Sequence, residues 1–312
     1  IRFVGPSSRI IRHAGSKDEA KQLARRLDVS VTPGVESICA LTLLSKAGED
    51  PGTQFGKWIR KHKLKVSEGM HEQPLLEQAE ELLKAAREQK VELTGIGDIQ
   101  KETRVQVEHL LKEHPGSRVR FKHVGGGGGK GQRIVTGGPD EVDEAVMEVL
   151  IESQSTGPGD NRNFLIEVNF EDTRHNEIQL LGNGSWCVEL GGRDCSLQMH
   201  EQKLQEVSLT VEMLEEAASN CRSDGKSVQA GVLESDLEML RLMSSQAEKF
   251  GEALGLDSVS TFECIVDGDS HYFIEVNTRI QVEHRITEMI YGLVFENPEV
   301  SGDRLVCESL IA

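Results

Sequence analysis

Two neighbouring runs of β-branched and aromatic residues constrain the fold of this chain most. They are Ser260–Val266 and Tyr272–Val276, each short enough for one strand, and the DGDS segment between them has the composition of a turn. The pattern therefore predicts a β-hairpin. Glu275 and Asn277 are two residues apart and point to the same side of the second strand, while Glu263 lies in the first strand.

Two carboxylates and an amide oxygen on one sheet face suit a hard cation such as Mg²⁺, which binds through one or two carboxylates together with phosphate oxygens. The alternative is a hairpin with three solvated polar side chains, because the exposed face of an antiparallel sheet is usually polar. Glu263 and Glu275 share a face only if the loop has an odd number of residues or a strand contains a bulge. We therefore expect a three- or five-residue loop, or a bulge, around Asp267–Ser270.

A dense set of polar side chains follows the predicted hairpin. It contains an arginine, which can bind an anion bidentately, and a glutamate that can act as a general base if its pKa is tuned. This part of the chain resembles the biotin carboxylases, a branch of the ATP-grasp superfamily, whose E-x-N-x-R-x-Q-V-E-H segment holds metal, bicarbonate and biotin. Every motif position is matched here, by Glu275, Asn277, Arg279, Gln281, Val282, Glu283 and His284.

A run of glycines, Gly125–Gly129, lies between two predicted strands. Such a run can be a flexible linker, but its setting predicts a loop over phosphates, because glycine allows close backbone approach and exposed N–H groups attract anions. It is not a P-loop, since Val124 stands at the position of the first glycine and Gly131 follows the lysine. The run is similar to the family's K-x-x-G-G-G-G-G-[RK]-G, with Lys122 as its first residue.

Four further segments resemble those that form the nucleotide cleft of the family. Gly15, Ser16 and Lys17 correspond to G-D-K, and NFLIEVNFED contains the residues that meet adenine. The segments RHNEIQ and GRDCSLQ flank a Gly-Asn-Gly turn, which predicts a hairpin, and resemble R-H-x-E-x-Q and R-D-C-S-x-Q. The ATP-binding residues implied by the resemblance are Lys17, Lys122, Gly127, Gly128, Gly129, Glu167, Val168, Phe170, His175, Gln198 and Ile265.

One departure from the family follows Gln198. The family usually continues with R-R-H-Q-K, whereas this chain has Met199, His200, Glu201, Gln202 and Lys203. Lys203, the bicarbonate ligand implied by the resemblance, is retained. A carboxylate at position 201 would repel ATP phosphates unless it binds metal or turns away.

The segment 38–97 has a helical pattern with no recognised counterpart in the family. We interpret it as an inserted helical element that either forms an interaction surface or packs only on its own domain. Its clearest helix is Pro74–Lys90, with one predicted apolar stripe formed by Leu75, Leu76, Ala79, Leu82, Leu83 and Ala86. The other predicted elements are an initial strand in IRFVG, a helix from Ser16 to Leu27, helices Asp98–His114 and Pro139–Gln154, a strand Asn163–Asp172 and a helical region Ser208–Gly255.

Composition and charge argue against several classes of function. A net charge of -17 argues against a nucleic-acid surface, which needs a basic stripe. The six cysteines have no C-x-x-C spacing, which argues against a zinc ribbon and provides no disulfide framework. Because no run suggests a signal peptide or a membrane span, a cytoplasmic location is expected, or a mitochondrial one in a eukaryote. The abrupt ends, IRFVGPS and LVCESLIA, suggest a fragment of a longer protein.

The resemblance implies an α/β (α+β) ATP-grasp fold, in which a glycine-loop lid domain covers an antiparallel sheet domain, here with the extra helical insertion. The expected divisions are 1–37 for the start of the ATP-grasp region, 38–97 for the insertion, 98–121 for the lead-in, 122–202 for the lid and 203–312 for the metal- and bicarbonate-binding sheet subdomain.

The resemblance also implies a ligase with two steps. ATP and bicarbonate give carboxyphosphate and ADP, and biotin on a carrier protein or domain is then carboxylated, with Mg²⁺ or Mn²⁺ held by Glu263, Glu275 and Asn277. Glu283 would deprotonate bicarbonate while Lys203 and Arg279 hold its oxygens, and Gln281 and Val282 would complete the bicarbonate and biotin site. The implied partners are the biotin carrier, a carboxyltransferase of an acyl-CoA or pyruvate carboxylase, and a second copy in a homodimer, with no nucleic acid and no membrane.

Two alternatives stay open. The changes at Met199 and Glu201 are compatible with a degenerate ATP-grasp domain that binds nucleotide without turnover, as a regulatory or scaffold subunit. The other alternative is an ATP-grasp ligase that activates a carboxylate for attack by an amine.

Overall fold

The computed structural model describes residues 5–15, 17–123, 132–156, 163–199, 202–297, 299–300, 302–307 and 309–310, and of 153–156 only the backbone. The chain forms two compact units. Unit 1 combines Ile1–Thr32 with Glu171–Ala312, and unit 2 is Pro33–Phe170. The expected lid, 122–202, therefore does not coincide with unit 2, because the strands that follow Phe170 pair within the sheet of unit 1.

The bounds of the elements are as follows. The helices are α1 (Ser8–Ala14), α2 (Lys17–Arg26), α3 (Ile38–Ala47), α4 (Pro51–His62), α5 (Leu75–Glu88), α6 (Ile96–Glu113), α7 (Pro139–Thr156), α8 (Val211–Ser223), α9 (Ser227–Leu254) and α10 (His284–Glu288). The strands are β1 (Gly34–Val35), β2 (Arg118–His123), β3 (Gln132–Val135), β4 (Phe164–Asn169), β5 (Arg174–Gly182), β6 (Cys187–Asp194), β7 (Gln198–Met199), β8 (Gln202–Lys203), β9 (Val207–Leu209), β10 (Val259–Asp267), β11 (Ser270–Asn277), β12 (Leu293–Glu296) and β13 (Arg304–Cys307).

A five-stranded antiparallel sheet with the order β11-β10-β5-β6-β9 organises unit 1. Side chains alternate between its faces, so that one face is apolar and the other is polar. The rings of Phe250, Phe262 and Phe273 lie in mutual contact in the core on the apolar side, with centroids 4.6–5.7 Å apart. Helix α9 contributes Phe250, so its burial presses α9 onto the sheet and leaves the opposite face for polar chemistry.

Unit 2 contains a four-stranded antiparallel sheet with the order β1-β4-β2-β3. One core lies between this sheet and helices α6 and α7, and includes Phe121 and Phe164. A second core lies among α3, α4 and α5, and includes Phe55 and Leu82. The helical segment 38–97 thus has a core of its own.

Most predicted elements are confirmed, with shifted ends. The hairpin pair β10 and β11, the hairpin pair β5 and β6, and helices α5, α6 and α7 occur where the patterns predict them. The stripe on α5 is wrong at its start: Leu75 and Leu76 are exposed because they form the first turn, while Ala79, Leu82 and Ala86 are buried.

The beginning of the chain and the helical region 208–255 differ from expectation. Helix α1 was not predicted, the expected initial strand falls largely on residues outside the described ranges, and so does Ser16. The region 208–255 consists of two helices separated at Asp224–Lys226, where Gly225 has φ of 74°. Among the helices of the described residues, none has the length and apolar composition needed to span a membrane.

Candidate functional site

The loop between β10 and β11 has two residues, because Asp267 pairs with Ser270. A regular ladder from this turn would place Glu263 opposite Ile274 and Glu275 on the other face. The expectation of an odd-numbered loop is therefore wrong, and the shared face depends on the alternative, a bulge.

The bulge lies within β11 rather than at the turn. Cys264 pairs with Phe273, whereas Glu263 pairs with Glu275, so Ile274 is the extra residue. This one-residue shift brings the two carboxylates directly opposite each other on the polar face.

The polar face continues across the sheet in two rows. Arg193, Glu177, Glu263 and Glu275 form one row on β6, β5, β10 and β11, through successive partner residues. Gln179, Thr261 and Asn277 form the neighbouring row. Ionisable groups from sequence positions almost a hundred residues apart are thus held by backbone pairing on one surface.

Glu263 is buried and hydrogen-bonded on both oxygens. Asn277 Nδ2 donates to its Oε1 at 2.6 Å, Gln281 Nε2 donates to Oε1 at 3.2 Å, and His175 Nε2 lies 3.1 Å from Oε2. Burial raises the pKa of Glu263, but the hydrogen bond from His175, the charge of Lys203 and the hydrogen bond from Gln281 outweigh it and hold the pKa below its ordinary value. Glu263 is therefore a carboxylate at neutral pH.

His175 is oriented by Gln198. Gln198 Nε2 lies 2.7 Å from His175 Nδ1 and also donates to Cys195 O at 2.8 Å. The contact at Nδ1 leaves Nε2–H to donate to Glu263. Two predicted nucleotide residues, His175 and Gln198, are thus connected to a predicted metal ligand.

Lys203 lies at the centre of a carboxylate cluster. Its Nζ is 2.6 Å from Glu177 Oε2, 2.7 Å from Glu283 Oε1 and 3.6 Å from Glu263 Oε1. Burial lowers the pKa of Lys203, but the charges of Glu177 and Glu263 and the hydrogen bonds to Glu177 and Glu283 raise it further, so the amine stays protonated. The structure brings two of the predicted catalytic residues, Lys203 and Glu283, into direct contact.

Glu283 is the residue before α10 and is largely buried. Burial raises its pKa, but the hydrogen bond from Lys203, with the charges of Lys203 and Arg193, lowers it more, and the pKa lies below its ordinary value. As long as Lys203 contacts it, Glu283 is a carboxylate of low basicity.

Arg193 is a central residue of the site to which the sequence motifs assign no role. Its side chain is fully buried; Nε donates to Glu177 Oε1 at 2.5 Å, and Nη1 donates to Gln179 Oε1 at 3.1 Å and to Thr287 Oγ1 at 2.6 Å. Since Thr287 is on α10, Arg193 links the sheet row to the helix that begins after Glu283. Its place in the GRDCSLQ segment, which resembles a family motif, is the sequence feature that could have identified Arg193 as a site residue.

Arg279 and Val282 are not part of this cluster. Val282 is 89% exposed, and Arg279 is exposed with Nη1 donating to Ile280 O at 3.3 Å. Gln281, by contrast, is buried and accepts a hydrogen bond from the Thr261 hydroxyl. The third predicted catalytic residue, Arg279, therefore lies apart from Lys203 and Glu283.

The remaining predicted nucleotide residues lie in both units. In unit 1, Lys17 Nζ is 3.5 Å from Glu275 Oε2, and Ile265 pairs with His175 in the sheet. In unit 2, Lys122 Nζ is 2.8 Å from the buried Glu167 Oε2.

Some predicted adenine and phosphate contacts are constrained or fall outside the described residues. The Val168 N–H donates to Pro33 O at 2.9 Å, so this donor is already used, and Phe170 ends unit 2. Gly127, Gly128 and Gly129 lie outside the described residues, as do His200 and Glu201.

The donor set fits a cation that shares its shell with a phosphate. Within the described ranges, no three His, Cys, Asp or Glu side chains form a metal cage. Two facing carboxylates, Glu263 and Glu275, with the Asn277 amide beside them, instead match the sparse protein ligation typical of Mg²⁺ at nucleotide sites.

A family model described as "Carbamoyl-phosphate synthase L chain, ATP binding domain" matches residues 76–229 and 210–300, which is more than half of the chain. The match begins inside the segment 38–97, for which the sequence predicts an insertion. Residues 76–97 therefore have a counterpart in the family model, and the unmatched part of the segment is 38–75.

The human mitochondrial propionyl-CoA carboxylase alpha chain is 29% identical over 298 residues, which are 94% of this chain and 28% of that one. Biotin carboxylase 1 of Bacillus subtilis is 28% identical over 296 residues, 94% of this chain and 46% of that one. The biotin carboxylase domain dimer of Hydrogenobacter thermophilus 2-oxoglutarate carboxylase, solved with MgADP, ADP and bicarbonate, has 25% identity and a TM-score of 0.57 over 93% of this chain and 45% of that one.

The chain thus spans less than half the length of each of these relatives. The mixed helices and antiparallel sheets match these structures, and the predicted ATP-grasp fold class is confirmed.

Proposed function

Because the chain belongs to the family of the carbamoyl-phosphate synthase L chain ATP-binding domain, we propose that it is a biotin carboxylase that uses ATP and bicarbonate to carboxylate biotin on a carrier protein. Similarity to biotin carboxylase 1 and to the propionyl-CoA carboxylase alpha chain supports this choice within the family. The observation that carries it is the contact of Lys203 with Glu283 beside the Glu263 and Glu275 pair.

Bicarbonate is an anion, and it carries a proton that must be removed. The cluster supplies a cation, Lys203, for the anion and a base, Glu283, for the proton. An incoming anion competes with Glu283 for the Lys203 ammonium group, which now lies 2.7 Å from Glu283. Once Lys203 turns to the anion, Glu283 loses the contact that lowers its pKa and becomes a stronger base. Glu283 then accepts the bicarbonate proton, and the resulting nucleophile attacks the γ-phosphorus of ATP to give carboxyphosphate and ADP.

Glu263, Glu275 and Asn277 would hold Mg²⁺ or Mn²⁺ in the reacting complex. When bound, the ion neutralises the phosphate oxygens and the charge that develops on them. Lys17 contacts Glu275 in the free chain and is positioned to turn to a phosphate when the cation takes over that carboxylate. In unit 2, Lys122 likewise forms an ion pair with a carboxylate, that of Glu167, in the free chain.

The carrier of biotin, a carboxyltransferase and a second copy of the chain are the proposed partners, by analogy with the acyl-CoA carboxylase relatives and the dimeric Hydrogenobacter domain. A cytoplasmic or mitochondrial location accompanies this proposal. Arg279, exposed in the free chain, would hold biotin and bicarbonate oxygens in the assembled complex.

One observation favours a second candidate, a nucleotide-binding domain without turnover. Met199 is 57% exposed at a position where an arginine is expected from the family motif, so that cation is replaced by an apolar side chain in the hairpin that carries Lys203. Measuring ADP release from MgATP separates the candidates. Release that requires both bicarbonate and biotin supports the carboxylase, nucleotide binding with no release supports the second candidate, and release that requires an amine supports another ATP-grasp ligase.

A further inference from the structure

Helix α4 and the turn after it display five exposed cationic side chains, called here the basic face: Lys57, Arg60, Lys61, Lys63 and Lys65. No Asp or Glu occurs in the sequence between Asp50 and Glu68, although the whole chain has a net charge of -17. The face lies in the part of the chain that the family model leaves unmatched, and it is independent of the proposed carboxylase activity.

The basic face is a cluster of cations without ion pairs among the described residues, although the charge of Lys57 acts on Asp50 at the start of α4. In the part of the chain that the structure describes, none of its five cations forms an ion pair with a carboxylate. Several surface cations elsewhere do, in the pairs Lys46–Asp98, Lys112–Glu108, Arg222–Glu234, Arg241–Glu215 and Arg304–Glu296.

The repulsion between these clustered cations lowers the stability of the fold. Lys57, Arg60 and Lys61 are spaced i, i+3 and i+4, so they lie on one side of α4, and like charges at this spacing are destabilising. The negative end of the helix dipole offsets part of the repulsion for Arg60 and Lys61 in the last turn. Lys63 and Lys65 lie beyond the helix, where the dipole gives no comparable benefit.

The backbone beneath the basic face is held in place. Phe55 and Leu64 from the same segment are buried in the core of α3, α4 and α5. In the amide orientation that satisfies both ends, Gln89 Nε2 donates to Lys63 O at 3.1 Å and Gln89 Oε1 accepts from Lys65 N at 2.9 Å. The cations are therefore presented from a packed surface and not from a loose loop.

We propose that the basic face docks a short acidic segment of a partner protein. Along α4 and the following turn the cations span about 15 Å, which an extended segment of about five residues covers. Arg60 can bind one carboxylate bidentately, and the lysines supply point charges for the others.

The charge of the remaining chain disfavours a longer polyanion. Screening confines the attraction to within about 8 Å of the face at physiological salt, so a short segment meets mainly these cations. A nucleic acid or a membrane extends further and meets the acidic remainder of the chain. The segment also lacks an exposed aromatic ring for base stacking, since Phe55 is buried and Trp58 packs against the core.

The test measures the binding of a fluorescein-labelled hexaglutamate peptide by anisotropy at low salt. The basic-face variant combines Lys61→Gln, Lys63→Gln and Lys65→Gln. The control combines Lys84→Gln, Lys101→Gln and Lys112→Gln, which removes the same charge from exposed positions on α5 and α6. We expect the Kd to rise about tenfold or more in the basic-face variant and to change little in the control, and we expect added salt to weaken wild-type binding.

Circular dichroism of both variants shows whether they keep the helical content of the wild type. The proposal is overturned if the wild type does not bind the peptide saturably, or if a folded basic-face variant binds no more weakly than the control. Tighter binding of a charge-matched oligothymidylate or of phosphatidylserine vesicles would replace the acidic segment with a nucleic acid or a membrane. Salt-sensitive self-association that the basic-face variant loses, without peptide binding, would replace it with a second copy of the chain.

Discussion

The polar face of the unit 1 sheet and the basic face of α4 differ in whether their cations have carboxylate partners. On the sheet, Lys203 contacts three carboxylates and Arg193 contacts Glu177, so the cations are compensated within the fold. On α4 and the turn after it, none of the five cations forms an ion pair with a carboxylate among the described residues. On the sheet, a ligand must displace internal ion pairs before it can bind the cations. On α4 and the turn after it, an external anion can bind the cations directly.

The largest expected effect concerns the base of the compensated cluster. Glu283→Gln keeps the size and hydrogen bonding of the side chain but cannot accept the bicarbonate proton. We expect bicarbonate-dependent ATP cleavage to fall by about 10²–10⁴-fold while MgATP binding stays nearly intact. Steady-state kinetics and nucleotide titration measure the two quantities separately. The matched variant Glu288→Gln, which removes a carboxylate from the helix that follows Glu283, should retain most activity. Full activity of Glu283→Gln would make Glu283 a structural residue.

A buried ion pair should contribute more to the free energy of unfolding than an exposed one. Arg193→Met leaves the buried Glu177 with Lys203 as its remaining cation and removes the hydrogen bonds to Gln179 and Thr287, and we expect a loss of about 3–5 kcal/mol in the free energy of unfolding. Arg304→Met removes an exposed partner of Glu296 and should leave the stability nearly unchanged. Urea denaturation of both variants measures the difference. Equal effects would show that the burial of Arg193 has no energetic consequence.

Acid should weaken the compensated face of the sheet. The pKa of Glu263 falls from 4.5 to about 2 on folding, and that of Glu283 is also lowered. A depressed folded-state pKa contributes stability above the unfolded-state value, and this contribution is lost as pH falls through the folded-state value. We therefore expect the free energy of unfolding to decrease between about pH 4.5 and pH 2. In Glu263→Gln the decrease should be shallower, and an unchanged slope would contradict the assignment.

The smallest expected effect has the opposite sign. Neutralising Lys61, Lys63 and Lys65 removes repulsion without breaking an ion pair. We expect the free energy of unfolding to stay constant or to rise by about 0.2–0.5 kcal/mol. A marked loss of stability in denaturant titration would show that these cations serve the fold itself.

The strands of the hairpin and the proximity of Lys203 to Glu283 could be predicted from sequence, because alternation and a matched motif place residues 80 positions apart on one surface. The bulge at Ile274 could not be located, since one extra residue in a strand leaves no signal in composition. The sequence pattern also supplied no role for Arg193, whose role depends on burial beneath α10. The boundary at Phe170 is set by strand pairing, which local patterns do not report.

The most direct test of the account is the transfer of label from [¹⁴C]bicarbonate to biotin by the wild-type chain in the presence of MgATP. We expect acid-labile label in biotin that depends on ATP and is lost in Glu283→Gln. ADP release without label in biotin, or nucleotide binding without either, would contradict it.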